Sequence, residues 1–216
     1  MTLTLHYHPL SSYSWKALIP LYEHATPFER VVVDYGDPAS CDAHFALWPM
    51  GKIPVLHDAA RGETVPEASV IIDYLDRHYP GPATLVPADP DQAWRARLWD
   101  RFFDLHVHTH VQKIVGDRIR PAGRQDPHGV ADARAQLTAA LGYLETQAPA
   151  RTWFLGEAFG LVDCAAMPAL YYADRVQPFG TGQGAVRAYL DRLMARPSAA
   201  RVIKEAEPYF SMFPAG

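Results

Sequence analysis

The chain has 216 residues, 49% of them apolar and 20% charged, and a formal net charge of -4. That length buries a real core in one large domain or two modest ones, with the composition of an ordinary soluble protein. Its arginines are scattered among acidic residues, which gives no basis for a nucleic-acid partner. The two cysteines, Cys41 and Cys164, have no metal or redox spacing and predict reduced thiols in a cytoplasmic protein. The first residues lack a charged n-region and a long apolar core, and no uncharged apolar stretch could span a bilayer. Neither a signal peptide nor a membrane partner is therefore expected.

The first 80 residues read as mixed α/β. Leu3–Tyr7 alternates apolar and polar like a strand, and Phe28–Val33 ends in three valines that favour a buried strand. Between them, Trp15, Leu18, Ile19 and Tyr22 have helical spacing over Ser14–His24, with Pro20 expected to bend or shorten the helix. A second helix runs from Pro38 to Leu47, ending before Pro49. Ile53–Leu56 and Glu63–Val65, joined by a Gly-containing turn, read as a hairpin. In Glu67–His78 the residues Val70, Ile71, Tyr74, Leu75 and His78 share a helix face, and Pro80-Gly81 stops it. The order β-α-β-α-β-β-α fits a four-stranded sheet of thioredoxin type.

Four prolines in Tyr79–Pro90 make a stiff connector, the expected domain boundary. Strand signals then vanish. Asp91–Ile119 reads as one long amphipathic helix carrying Trp94, Leu98, Phe102 and Leu105 and then Val111, Ile114 and Val115 on its apolar face. Gly129–Gln147 is a second helix, and Leu161–Val176 is apolar enough to lie at the centre of a bundle. Shorter helices are expected at Ala185–Ala195 and Ser198–Ala206. The expected fold class is α/β plus all-α: residues 1–79 as a thioredoxin-like domain, 80–90 as linker, and 91–216 as an all-helical C-terminal domain.

Four segments carry a resemblance. They are Tyr7-His-Pro-Leu-Ser-Ser-Tyr-Ser-Trp15, Trp48-Pro-Met-Gly-Lys-Ile-Pro-Val-Leu56, Pro66-Glu-Ala-Ser-Val-Ile-Ile-Asp-Tyr-Leu75 and Gly156-Glu-Ala-Phe-Gly-Leu-Val-Asp163. In order and spacing they resemble the cytosolic glutathione transferase superfamily, of the serine type. The run Ser11-Ser-Tyr-Ser-Trp15 is also similar to the zeta class, which includes maleylacetoacetate isomerases, with Tyr13 in place of Cys and Lys16 in place of Arg. No cysteine lies in this loop, which disfavours the thiol-transfer chemistry of omega-like relatives.

The resemblance implies a thioredoxin-like glutathione-binding domain and a homodimer of glutathione S-transferase type. Glutathione would serve as substrate or cofactor, attacking a small hydrophobic electrophile. Ser11, just before a helix, would donate to the thiolate; the same hydroxyl also suits an N-cap. Tyr7 is the alternative donor. Ile53, before the family's cis-proline Pro54, would pair with the cysteinyl backbone, and Lys52 would reach the glycyl carboxylate. Glu67 would take the α-ammonium, with the N–H groups at the start of its helix receiving the γ-glutamyl carboxylate. Ala68 stands where the family has serine, which removes one hydroxyl contact. Gly160 replaces the usual Ser or Thr cap of the central helix, and Asp163 is read as structural.

His106, His108 and His110 suggest a metal, but only His106 and His110 share a helical face and no third ligand is evident, so none is expected. The electrophile pocket implied by analogy comprises Leu10, Tyr13, Phe102, His106, His110 and Tyr172, with Phe210 from the tail. Two other functions remain open: glutathione-dependent cis–trans isomerisation, and a non-catalytic ligand- or protein-binding module on the same scaffold.

Overall fold

The computed structural model describes residues 2–148 and 152–214. The N-terminal domain runs β1 (Leu3–Tyr7), α1 (Ser12–Glu23), β2 (Glu29–Val32), α2 (Pro38–Leu47), β3 (Val55–Asp58), β4 (Glu63–Pro66) and α3 (Ala68–His78). The strand order is β2-β1-β3-β4; β1 pairs parallel with β2 and antiparallel with β3, and β3–β4 is the hairpin. In β1 the strand period puts Leu3, Leu5 and Tyr7 in the core. Helix α1 is almost wholly buried because it packs against α3 on one side and the helical domain on the other. That packing keeps Pro20 inside the helix without the expected shortening.

Strand β2 departs from expectation. Val31 and Val32 are each 41% exposed, and of the three valines only Val33 is buried. As the edge strand, β2 is covered thinly, since α2 buries only His44.

The helical domain comprises α4 (Pro90–Phe102), α5 (Thr109–Arg118), α6 (Pro127–Gln147), α7 (Leu161–Val176), α8 (Gly184–Ala195) and α9 (Pro197–Ala206), and a 3-10 turn at Glu207–Met212. The single helix expected over Asp91–Ile119 is broken: a π-helical segment, Phe103–His108, separates α4 from α5. The first half of its apolar face is also corrected, while Val111 and Ile114 are buried as expected. Trp94, Leu98 and Leu105 are 52%, 55% and 47% exposed, whereas Ala93 and Ala96 are buried. Helix α4 packs on α7, where small side chains permit close approach and the bulky ones turn outward.

Helix α7 is the buried centre. Asp163 accepts from the N–H groups of Gly160 and Phe154, both at 3.0 Å, and from the Tyr189 hydroxyl at 2.5 Å. The glycine at 160 has a steric reason: a Cβ there would lie 2.8 Å from the Leu85 carbonyl oxygen, which accepts from Leu161 N–H. Among the described residues no helix is long and apolar enough to cross a membrane.

Candidate functional site

The turn after β1 is pinned from several directions. Ser11 N–H donates to His8 O at 2.9 Å, and Trp15 Nε1–H donates to Pro9 O at 2.5 Å. From the helical domain, the Tyr172 hydroxyl donates to Leu10 O at 2.8 Å. Ser11 is the N-cap of α1, its Oγ accepting from Ser14 N–H at 3.2 Å. A hydroxyl has one proton and two lone pairs, so this cap bond leaves the Ser11 proton for another acceptor.

Two adjoining depressions flank this turn. The smaller, about 180 Å³, is lined by Lys52, Ile53, Pro54, Glu67 and Ala68, together with Tyr13, Trp48, Arg101, Asp104 and Leu105. The Ile53–Pro54 peptide bond is cis. Glu67 precedes α3 at φ 68°, a left-handed conformation that costs a non-glycine residue roughly 1–3 kcal/mol and is typical of functional sites. The N–H groups of the first turn of α3 follow it directly. His44, from α2, hydrogen-bonds the Lys52 carbonyl at 3.1 Å and so braces this loop.

The larger depression, about 610 Å³, contains Leu10, Ser11, Ser12, Ile53 and Tyr172. Its helical wall is His108, Val111, Val115 and Ile119, and its rim is Met212 and Phe213 of the tail. Ile53 borders both depressions.

The sequence-derived residues thus divide. Lys52, Ile53, Pro54, Glu67 and Ala68 come together, and Ser11, Leu10 and Tyr172 line the neighbouring cleft. Tyr13 turns into the smaller pocket rather than the larger one. Tyr7 lines neither; it is buried in the sheet near Arg30, Glu205 and Tyr209, and burial raises its pKa. Besides Tyr13, three residues expected at the electrophile pocket lie outside the lining of the larger depression. Phe102 packs among Trp99, Phe103 and Tyr143, and His106 is exposed against the Phe102 ring. His110 likewise lies outside the cleft lining, and His108 takes the place expected of this pair. The cause is the π-helical segment, which fits an extra residue into the turn and rotates the face presented to the cleft. Phe210 stacks with Arg175, leaving Met212 and Phe213 to supply the tail contact.

His108 is 2% exposed. Burial, with a smaller contribution from Lys16, pushes its pKa down to about 3. It stays neutral near pH 7, hydrogen-bonded to Ser12 Oγ at 2.6 Å. A second buried cluster lies beneath the smaller pocket. Lys16 Nζ sits 2.7 Å from Asp100 Oδ1 and 2.8 Å from Asp104 Oδ1, tying α1 to the helical domain. Neither feature had a local sequence signal beyond the alternating histidines. Among the described residues no group of three or more His, Cys, Asp or Glu side chains could hold a metal ion.

A thioredoxin-type sheet joined to a helical bundle, with a charged pocket at the start of α3, defines a class that the comparisons identify. Family models for the glutathione S-transferase N-terminal and C-terminal domains match residues 5–83 and 99–197. Glutathione S-transferase U25 of Arabidopsis thaliana is 28% identical over 170 residues, 76% of this chain and 72% of that protein. FtsZ-localized protein A of Caulobacter vibrioides is 28% identical over 215 residues, covering 95% and 92% of the two chains. The crystal structure of a glutathione S-transferase from Methylobacterium radiotolerans, in complex with glutathione sulfonate, is 30% identical with a TM-score of 0.78, covering 94% of this chain and 95% of that one. The chain belongs to the cytosolic glutathione transferase superfamily.

Proposed function

We propose that the protein is a cytoplasmic glutathione S-transferase, with residues 1–79 as the glutathione-binding domain, 80–90 as linker and 91–216 as the helical domain. The observation that carries this reading is the convergence of Lys52, Ile53, Pro54, Glu67 and Ala68 on one pocket beside the Ser11 hydroxyl. Lys52 takes the glycyl carboxylate, the Ile53 backbone the cysteinyl unit, and the start of α3 the γ-glutamyl end. The thiol loses its proton to solvent, and Ser11 O–H donates to the resulting thiolate, raising its population near neutral pH. The sulfur then forms a bond to an electrophilic carbon held in the larger cleft, and any leaving group departs with its bonding pair. The apolar side chains of Val111, Val115, Ile119 and Phe213 suit a small hydrophobic electrophile.

A homodimer is supported by the outward-facing apolar residues Val70 of α3 and Trp94 and Leu98 of α4, each more than half exposed in the single chain. Ser11→Ala should cut turnover with a model electrophile roughly 100-fold, the typical effect of removing one donor to a developing anion, with the fold checked by circular dichroism. Unchanged turnover would remove Ser11 from the mechanism. Product analysis separates conjugation from the isomerase alternative, which returns glutathione unaltered.

A non-catalytic reading is favoured by one observation: Ala68 lacks the hydroxyl, and the adjacent Ser69 donates to Asp100 instead. The likeness to FtsZ-localized protein A, whose name describes localisation rather than catalysis, points the same way. Failure to bind glutathione at millimolar concentration in calorimetry would decide for it.

A further inference from the structure

The larger cleft carries a hydrogen-bond donor that the mechanism above leaves unused. His8 lines this cleft on the same turn as Ser11, whose N–H donates to the His8 carbonyl at 2.9 Å. Its ring is held from both domains. Leu10 N–H donates to Nδ1 at 3.2 Å, and the Tyr209 ring meets it edge-on with centroids 6.0 Å apart. Burial lowers the His8 pKa against a smaller opposing effect of Asp34, so the imidazole is neutral near pH 7 and carries one ring N–H. Because Nδ1 accepts from Leu10, that proton is on Nε2. Among the described residues nothing accepts from it.

The charge of the cleft narrows what this donor can meet. Its described lining contains no Lys or Arg, and Asp34 supplies its one carboxylate. His108 is neutral there. An acidic electrophile would face a like charge with no cation to offset it. A neutral one finds the apolar side chains of Val111, Val115 and Ile119 on one wall and the His8 N–H on the turn beside the thiolate site.

We propose that His8 is a catalytic residue for neutral α,β-unsaturated carbonyl electrophiles, its Nε2–H donating a hydrogen bond to the carbonyl oxygen as negative charge collects there. This assignment rests on the reading that the protein is a glutathione S-transferase. The thiolate sulfur forms its bond to the β-carbon. The alkene pair then joins the α-carbon to the carbonyl carbon, and the carbonyl π pair moves onto oxygen as an enolate. Water protonates the α-carbon, the carbonyl re-forms, and no group leaves. A donor already fixed in place lowers the barrier because it does not reorganise as the charge develops. One turn thus addresses both ends of the reaction, with Ser11 at the sulfur and His8 at the oxygen.

Turnover of trans-2-hexenal and benzyl chloride tests it. Both are small and neutral, but attack on benzyl chloride sends the charge out on chloride and leaves no oxygen to accept. His8→Asn keeps an amide oxygen able to accept from Leu10 N–H, yet carries no donor as far out as Nε2. With folding checked by circular dichroism, it should lower the hexenal to benzyl chloride ratio of kcat/KM roughly 10- to 100-fold, as for loss of one donor to a developing oxyanion. His8→Gln, whose amide N–H reaches the Nε2 position, should restore most of that ratio. An unchanged ratio in His8→Asn overturns the assignment, whether both activities persist or both fall together through a disturbed turn. A parent that conjugates benzyl chloride but not hexenal also overturns it while leaving the functional reading intact. If the parent conjugates neither, the functional reading fails first and this assignment with it.

Discussion

His108 makes the fold's stability depend on pH in a way that one substitution isolates. In the unfolded chain an imidazole titrates near pH 6.5; in the folded protein burial lowers that of His108 to about 3. The folded state therefore resists a proton that the unfolded state accepts. The resulting stability is fully present above pH 6.5 and is lost progressively as pH falls toward 3. Integrating the linkage relation between pH 8 and pH 5 gives a loss of about 2 kcal/mol from this residue alone. His108→Gln keeps a polar group able to reach Ser12 and removes the titration. Urea denaturation of both proteins at pH 8 and pH 5 is the assay. The parent should lose about 2 kcal/mol more than the variant, because His6, His8 and His110, whose pKa values are also lowered, are present in both. Equal losses would refute the claim that the buried ring is held neutral.

Three further outcomes follow from the packing. Lys16→Met leaves Asp100 and Asp104 without their shared cation and should destabilise the protein by about 3–5 kcal/mol in denaturant titration; a cost near zero would mean that the cluster contributes nothing to the joint between domains. Gly160→Ser restores the family's usual capping residue, yet its Cβ would sit 2.8 Å from the Leu85 oxygen. It should therefore cost about 1–3 kcal/mol rather than stabilise, as read from the thermal midpoint. Glu67→Gly removes the φ penalty and should stabilise by about 1 kcal/mol, while weakening glutathione binding; a variant that loses stability would show that the conformation is not strained.

Helices α2 and α7 match the bounds expected from sequence because their signals are local. Asp37 caps and Pro38 opens the first, and the apolar run Cys164–Ala173 marks the second. The residues of the smaller pocket could be grouped for a similar reason, since they lie in two short segments, Lys52–Pro54 and Glu67-Ala68. What failed depends on neighbours distant in the chain. Three valines give β propensity but cannot tell an edge strand from a central one. The spacing of Trp94 and Leu98 defines a helix face, but only the approach of α7 decides that the alanines face inward. The π-helical segment has no marker in Phe103–His108, so the histidine that reaches the cleft could not be chosen from among three. Arg101 and Asp104 line the smaller pocket without a local sequence signal, because only the packing of the helical domain brings them there.

On the proposed mechanism the Ser11 hydroxyl serves both fold and chemistry. The two roles use different parts of the group: the cap bond from Ser14 N–H occupies a lone pair, whereas stabilising a thiolate uses the proton. The cap therefore fixes the oxygen without spending the donor. The turn that carries it is anchored in its own domain by Trp15 and in the helical domain by Tyr172, through the carbonyls of Pro9 and Leu10. The donor's position consequently depends on how the two domains are joined. The Lys16 cluster makes that same joint beneath the pocket beside it. On the proposed mechanism the position of the Ser11 donor and the shape of the smaller pocket both depend on this interface between domains, through Tyr172 for the turn and through Lys16 for the pocket floor.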